Sequence, residues 1–262
     1  MANAGNTEDR SKIEALKSGD QASLQTLISD LSSKDDRVRC EARKSLIGIG
    51  KSAAILLIEA LEDPRDVVRL EASKALDSIN LSWQGRASPQ IVRLLVGDLG
   101  SNDGIVRVTA RRLLAAIGED AIEELEQALK NKNQWMRWEA AKTLGQIGDP
   151  AAIDALIRAL RDDVFDVRWL AAEGLIAIGR PSVVPLLKAL VEHAESLWMR
   201  EGAHHVLHDI RKEGIEEILQ PVMIALEDVE PSLGVPLAAR KALDELYRLQ
   251  PQAIFVNNKP SI

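Results

Sequence analysis

Asn133–Pro150 reads NQWMRWEAAKTLGQIGDP, and the same pattern returns in Asp35–Gly50, DDRVRCEARKSLIGIG, and in Phe165–Gly179, FDVRWLAAEGLIAIG. The arginine that follows an apolar residue serves as the reference position. It recurs at Arg39, Arg69, Arg107, Arg137, Arg168 and Arg200, at intervals of 30, 38, 30, 31 and 32 residues. One residue earlier stands Val38, Val68, Val106, Met136, Val167 or Met199. Three residues later comes Ala42, Ala72, Ala110, Ala140, Ala171 or Ala203; seven later a leucine, from Leu46 to Leu207; ten later an isoleucine, from Ile49 to Ile210. Six-fold agreement in five columns marks an internal repeat, and a repeat decides the architecture before any local reading does.

At about 100° per residue, those columns fall in one narrow arc of a helix. They are the expected buried face of one helix per repeat, here termed helix B. The alanine column lets a neighbouring helix approach closely. Gly50, Gly118, Gly148 and Gly179 follow the isoleucine and suit a left-handed C-terminal cap. Pro89, Pro150 and Pro181 then open the next helix, A, where a missing N–H costs little. Helix A has its own apolar stripe, as in Ile153, Leu156, Leu160 and Val183, Leu186, Leu187, Leu190. Asp35, Asp36, Asp66 and Asp103 stand where they can cap helix B. No helix pair could bury its stripe alone, so the pairs must stack.

The predicted fold class is all-α, a right-handed alpha-alpha superhelical solenoid of about seven helix pairs. Residues 1–10 are expected to be disordered, with a short polar cap helix at Ser11–Ser18. A single solenoid domain is expected over residues 11–250, with a tail at 251–262. Two insertions break the period, at Leu81–Ser88 and Asp228–Pro236. A looser seventh unit is expected as helix A over Ile215–Leu226 and helix B over Pro236–Leu249, with Arg240 as the equivalent of the repeat arginine.

The three quoted segments resemble the short HEAT repeats of the phycobilisome-lyase type, over roughly Leu24 to Ile210. The resemblance implies a fold rather than a function, because the family includes scaffolds, lyase subunits and metal hydroxylases.

Composition narrows the possibilities. Lys and Arg number 33 against 40 Asp and Glu, a net charge of −7, which argues against a general nucleic-acid binder. One cysteine, Cys40, permits no intramolecular disulfide. The N-terminus lacks the apolar core of a signal peptide, and no run of 18 apolar residues is present, so neither secretion nor membrane insertion is expected. The expected location is the cytoplasm.

The face opposite the buried arc of helix B is expected to meet solvent and line the inner surface. It holds the positions two before, one after, five after and eight after the reference arginine. Four of the five tryptophans fall on it: Trp135, Trp138, Trp169 and Trp198. Aromatic side chains in a concave patch are the material of interface hot spots; packing between neighbouring B helices is the alternative. Lys44, Lys74, Arg112 and Lys142 form a basic row on this face, suited to an acidic partner or else simply solvated. The expected partner-binding set is Trp135, Trp138, Lys142, Trp169, Glu173, Trp198, Glu201, His205 and His208, and the expected partner is another protein. The repeat arginines are expected to pair with an aspartate of the neighbouring repeat, forming a ladder.

No cofactor is expected. All four histidines lie at His193, His204, His205 and His208. Glu201, His205 and His208 share a helix face at i, i+4 and i+7 and are candidate metal ligands, although three ligands from one helix rarely complete a site. A metal-binding HEAT-repeat enzyme is therefore an alternative function. Its best-known form, deoxyhypusine hydroxylase, uses His-Glu pairs. Here those pairs read Cys40-Glu41, Leu70-Glu71, Trp138-Glu139 and Trp169-Leu170, and every expected histidine is absent. A tetrapyrrole (bilin) lyase or chaperone-like subunit is the other alternative, without the Tyr-Tyr-Ala-Ala-Trp type of segment that the resemblance would imply. No phosphate loop, Ser/His/Asp arrangement or paired cysteine motif is found.

Overall fold

A computed structural model of the chain describes residues 21–79, 89–211 and 214–249, all built from helices and their connections. The expected disordered N-terminus, the cap helix at Ser11–Ser18, the insertion Leu81–Ser88 with Trp83, and the tail at 251–262 lie outside the described residues. The fold class is an α solenoid, as the repeat predicts. Among the described residues no single helix is long and apolar enough to cross a membrane. The chain forms two compact units, divided after Ala128.

In the first unit, α1 (Gln21–Asp30), α3 (Lys51–Glu59), α5 (Pro89–Asp98) and α7 (Ile122–Ala128) are the A helices. The B helices are α2 (Asp36–Ile49), α4 (Asp66–Ser78) and α6 (Gly104–Ile117). A packs on A and B packs on B from one repeat to the next, giving two layers with the core between them. Ala42, Leu46, Val68, Ala72, Leu76, Val106, Ala110 and Leu114 are buried, as their columns require. Val38 is exposed at the start of α2, and the isoleucine column is only half-buried at Ile49 and Ile117, where the helix ends. Between α4 and α6, the hydroxyls of Ser73 and Thr109 satisfy one another at 2.8 Å.

In the second unit, α8 (Gln134–Ile147), α10 (Phe165–Ile178) and α12 (Leu197–Ile210) form the B row; α9 (Ile153–Ala159) and α11 (Val183–His193) are A helices. The closest approach joins α8 to α10, and two glycines explain it. A Cβ placed on Gly145 would lie 3.0 Å from the Gly174 Cα, and one on Gly174 would lie 3.0 Å from a Leu156 methyl. Only hydrogen at both positions lets the backbones meet, and the Ala140, Ala141, Ala171 and Ala172 columns extend that close contact.

Helix B starts as the sequence suggests, with refinements. Asp35, Asp103 and Asn133 accept from the backbone N–H two residues on, capping α2, α6 and α8. Asp36 and Asp66 are instead the first residues of their helices, and each pairs with the arginine three residues later. The four repeat glycines all have φ between 66° and 76°, which is why a Cβ is avoided there.

The end of the chain departs from expectation. The segment Asp228–Pro236 is not an insertion loop: helix α14 begins at Pro231 and runs to Leu249, after α13 (Glu216–Leu226). Pro231 sits at the helix start, where its missing N–H is harmless, and Pro236 lies inside the helix. α14 does not continue the B row beside α12. It packs on α11 and α13 through Val235, Ala239, Ala242, Leu243 and Leu246. Arg240 is exposed there and is no counterpart of the repeat arginines.

Candidate functional site

The repeat arginines have a task the spacing does not reveal. In all six repeats Nη1 donates to the carbonyl six residues earlier, at 2.5 to 2.9 Å: Ser33, Asp63, Ser101, Asn131, Asp162 and Ala194. Each arginine thus places a cation on carbonyls at the C-terminal end of the preceding helix A, where the dipole favours it. The expected ladder to the next repeat is formed by Arg69 with Asp103 and by Arg137 with Asp162 and Asp163. Burial pushes the Asp162 carboxyl up. The Arg137 guanidinium and the Val164 N–H act the other way and hold it below the usual carboxylate range.

The basic row of the first unit is less available than the sequence suggests. Lys74 and Arg43 both pair with the buried Glu71, and Arg112 pairs with Asp77 at 2.8 Å. Burial raises the Glu71 carboxyl, but its two cations outweigh burial and keep it below the usual range. These cations serve the fold and leave little net charge for an acidic partner.

The aromatic residues of the second unit stand on the B row. Trp135 on α8 is 59% exposed, Trp169 on α10 is 47% exposed and Trp198 on α12 is 39% exposed, so three of the four indoles have substantial area facing water. Trp138 is half-buried, edge-on to Trp135 with ring centroids 6.4 Å apart. Phe165 was not in the expected set, because it lies three residues before its arginine, outside the columns used. It is 62% exposed and stacks on Trp169 at 6.4 Å.

Each cluster carries an ammonium, a guanidinium or an imidazole against its rings. The Lys142 ammonium sits 4.6 Å above the Trp138 ring. The Arg168 guanidinium lies 4.6 Å from the Trp198 ring and 5.6 Å from the Phe165 ring. The His205 ring stacks on Trp169, 4.6 Å between centroids and 22° from parallel, while its Nε2 meets Glu173 Oε1 at 2.9 Å. Such contacts fix rotamers that would otherwise be free, so the surface is arranged before anything binds.

The candidate metal ligands do not converge. His205 faces Trp169 and Glu173. His208 stacks near His204 and approaches Asp209, and His204 meets Glu227 at 3.0 Å. Glu201 is exposed on the same helix. Among the described residues no group of three or more His, Cys, Asp or Glu side chains could hold a metal ion.

Comparison with known proteins agrees with the repeat. Residues 92–176 match the family of HEAT repeats, and residues 167–193 match the PBS lyase HEAT-like repeat. The bilin biosynthesis protein MpeU of Synechococcus sp. (strain WH8020) is 45% identical over 62 residues. That match takes in 23% of this chain and 21% of MpeU, so only a small part of each protein is compared. Among solved structures, an engineered protein is similar over 73% of this chain and 97% of its own, at 24% identity and a TM-score of 0.37. A chain from the structure of Kap95p with RanGDP is similar over 89% of this chain and 37% of its own, at 13% identity and a TM-score of 0.46. A chain from the complex of CpcE and CpcF of phycocyanin lyase from Nostoc sp. PCC7120 is similar over 88% of this chain and 85% of its own, at 19% identity and a TM-score of 0.31.

Proposed function

We propose that this chain, which carries HEAT-like repeats of the PBS lyase type, is a non-catalytic adaptor. It docks another protein on the aromatic face of α8, α10 and α12. One observation carries the reading: Trp135, Phe165, Trp169 and Trp198 are all exposed on that row. Large rigid rings left in water on consecutive helices cost solvation and add little to the core, whereas Trp and Arg dominate interface hot spots.

The test is the double substitution Trp138→Ala with Trp169→Ala. The helical circular dichroism spectrum is expected to persist, because neither ring is fully buried. Partner recovery in a pull-down is expected to fall at least 100-fold, since each hot spot is worth about 2 kcal/mol or more. Undiminished recovery by a folded double variant would sink the surface.

The 62-residue likeness to a bilin biosynthesis protein favours a second reading, in which the same rings hold a linear tetrapyrrole during its transfer. Titration with a free bilin such as biliverdin separates the two. Under the second reading, stoichiometric quenching of Trp fluorescence and a shifted bilin absorbance appear in the wild type and disappear in the double variant. Under the adaptor reading, neither signal saturates at micromolar bilin.

A further inference from the structure

We infer that the segment docked on this face presents a carboxylate to Arg168, flanked by apolar side chains. This rests on the docking reading above and gives the partner its chemistry.

Arg168 differs from the rest of its column. All six repeat arginines spend Nη1 on the carbonyl six residues back. The rest of the guanidinium is then met by carboxylates at Arg39 (Asp36), at Arg69 (Asp66 and Asp103) and at Arg137 (Asp162 and Asp163). At Arg168 no carboxylate lies within ion-pair distance among the described residues; where the ladder would supply one, it meets the Trp198 indole instead. Among the described residues Arg200 has neither a carboxylate nor a stacked ring.

Stacking covers the faces of a guanidinium and leaves its edge. With Nη1 on the Asp162 and Asp163 carbonyls, at 2.8 and 3.3 Å, the Nε and Nη2 N–H groups form the remaining fork. That fork matches the two oxygens of one carboxylate in a bidentate pair. The Phe165 and Trp198 rings, 5.6 and 4.6 Å from the guanidinium and each partly exposed, flank it, so the counter-ion meets apolar surface and is partly out of water, where such a pair is strengthened.

The surroundings set the class of ligand. Asp166, Glu173 and Glu201 are exposed on the same helices, so a polyanion such as nucleic acid meets repulsion there. Glu173 is engaged with His205 and does not reach Arg168. A single acidic residue within an apolar stretch of a protein partner fits both the lone fork and the rings.

The test is selection of a random 12-residue peptide library on the full chain, followed by affinity measurement on the synthesised consensus peptide. The expected consensus has Asp or Glu at one fixed position between apolar residues. Binding is expected to fall about ten-fold or more in Arg168→Gln and on changing the peptide acid to its amide, but the two changes together should cost no more than either alone. Arg168→Lys keeps the charge without the fork and is expected to recover only part of the affinity. Thermal melting of both variants checks that loss of the Nη1 cap has not unfolded α10. A consensus with no acid, or an acid indifferent to Arg168→Gln, overturns the carboxylate inference while leaving the docking face intact. No selected peptide, or one indifferent to Trp138→Ala with Trp169→Ala, overturns both.

Discussion

Arg137→Met is expected to destabilise the second unit by about 3 to 5 kcal/mol, the cost of removing one partner from a buried ion pair. Both sides of this pair are largely out of water, with the Arg137 side chain 11% and the Asp162 side chain 10% exposed. The guanidinium spans the step from α8 to the loop before α10, meeting Asp162 at 2.7 and 3.0 Å and Asp163 at 2.6 Å, and it also caps the Asn131 carbonyl. Methionine fills similar volume, so the loss is electrostatic and leaves Asp162 buried without its cation.

The pH dependence follows from the lowered pKa of Asp162. A carboxyl whose folded pKa lies below its unfolded value stabilises the fold above the unfolded value, near 3.9, and loses that contribution as pH falls through the folded one. The gap between wild type and Arg137→Met in denaturant unfolding is therefore expected to be widest near neutrality and to narrow as acid is added below about pH 5. Protonation then neutralises the stranded carboxyl in the variant and weakens the pair in the wild type. Adding Asp162→Asn, which keeps the acceptor for the Val164 N–H, is expected to restore part of the loss. A gap constant from pH 7 to pH 3, or no rescue by the second substitution, would show that the pair is not the cause.

The second large effect separates the two faces of one helix. Leu175→Ala is expected to cost about 3 to 4 kcal/mol, because Leu175 is fully buried at the centre of the second unit and its removal leaves a cavity. Trp169→Ala, six residues earlier on α10, is expected to cost less, about 1 to 2 kcal/mol: it gives up the His205 and Phe165 stacks and a half-exposed ring rather than a filled core position. The ranking is expected to reverse in binding, with Trp169→Ala losing the partner and Leu175→Ala retaining it at temperatures where the variant is folded. Equal destabilisation by the two changes would mean that the indole belongs to the core.

The sequence by itself determined the repeat, the helix pairs and the buried columns. Those are local or periodic properties: an alanine once in each repeat, a leucine one turn on and a glycine at positive φ constrain the chain wherever its neighbours lie. It also placed Trp135, Trp169 and Trp198 on the face away from the core, because helical angle alone fixes that. Tertiary structure decided which neighbour each face meets. The apolar stripe of Pro231–Leu249 fits either layer equally well by pattern, and only packing put it on α11 and α13, leaving Arg240 in solvent. The same holds for charge. Lys74 and Arg112 look free in sequence and are paired in space, whereas Arg168 looks like its column mates and faces an indole where Arg39, Arg69 and Arg137 face carboxylates. Periodicity reports the side of a helix, but the ion pairs and ring stacks between repeats join residues 25 to 36 positions apart, and the register between neighbouring repeats settles which of them meet.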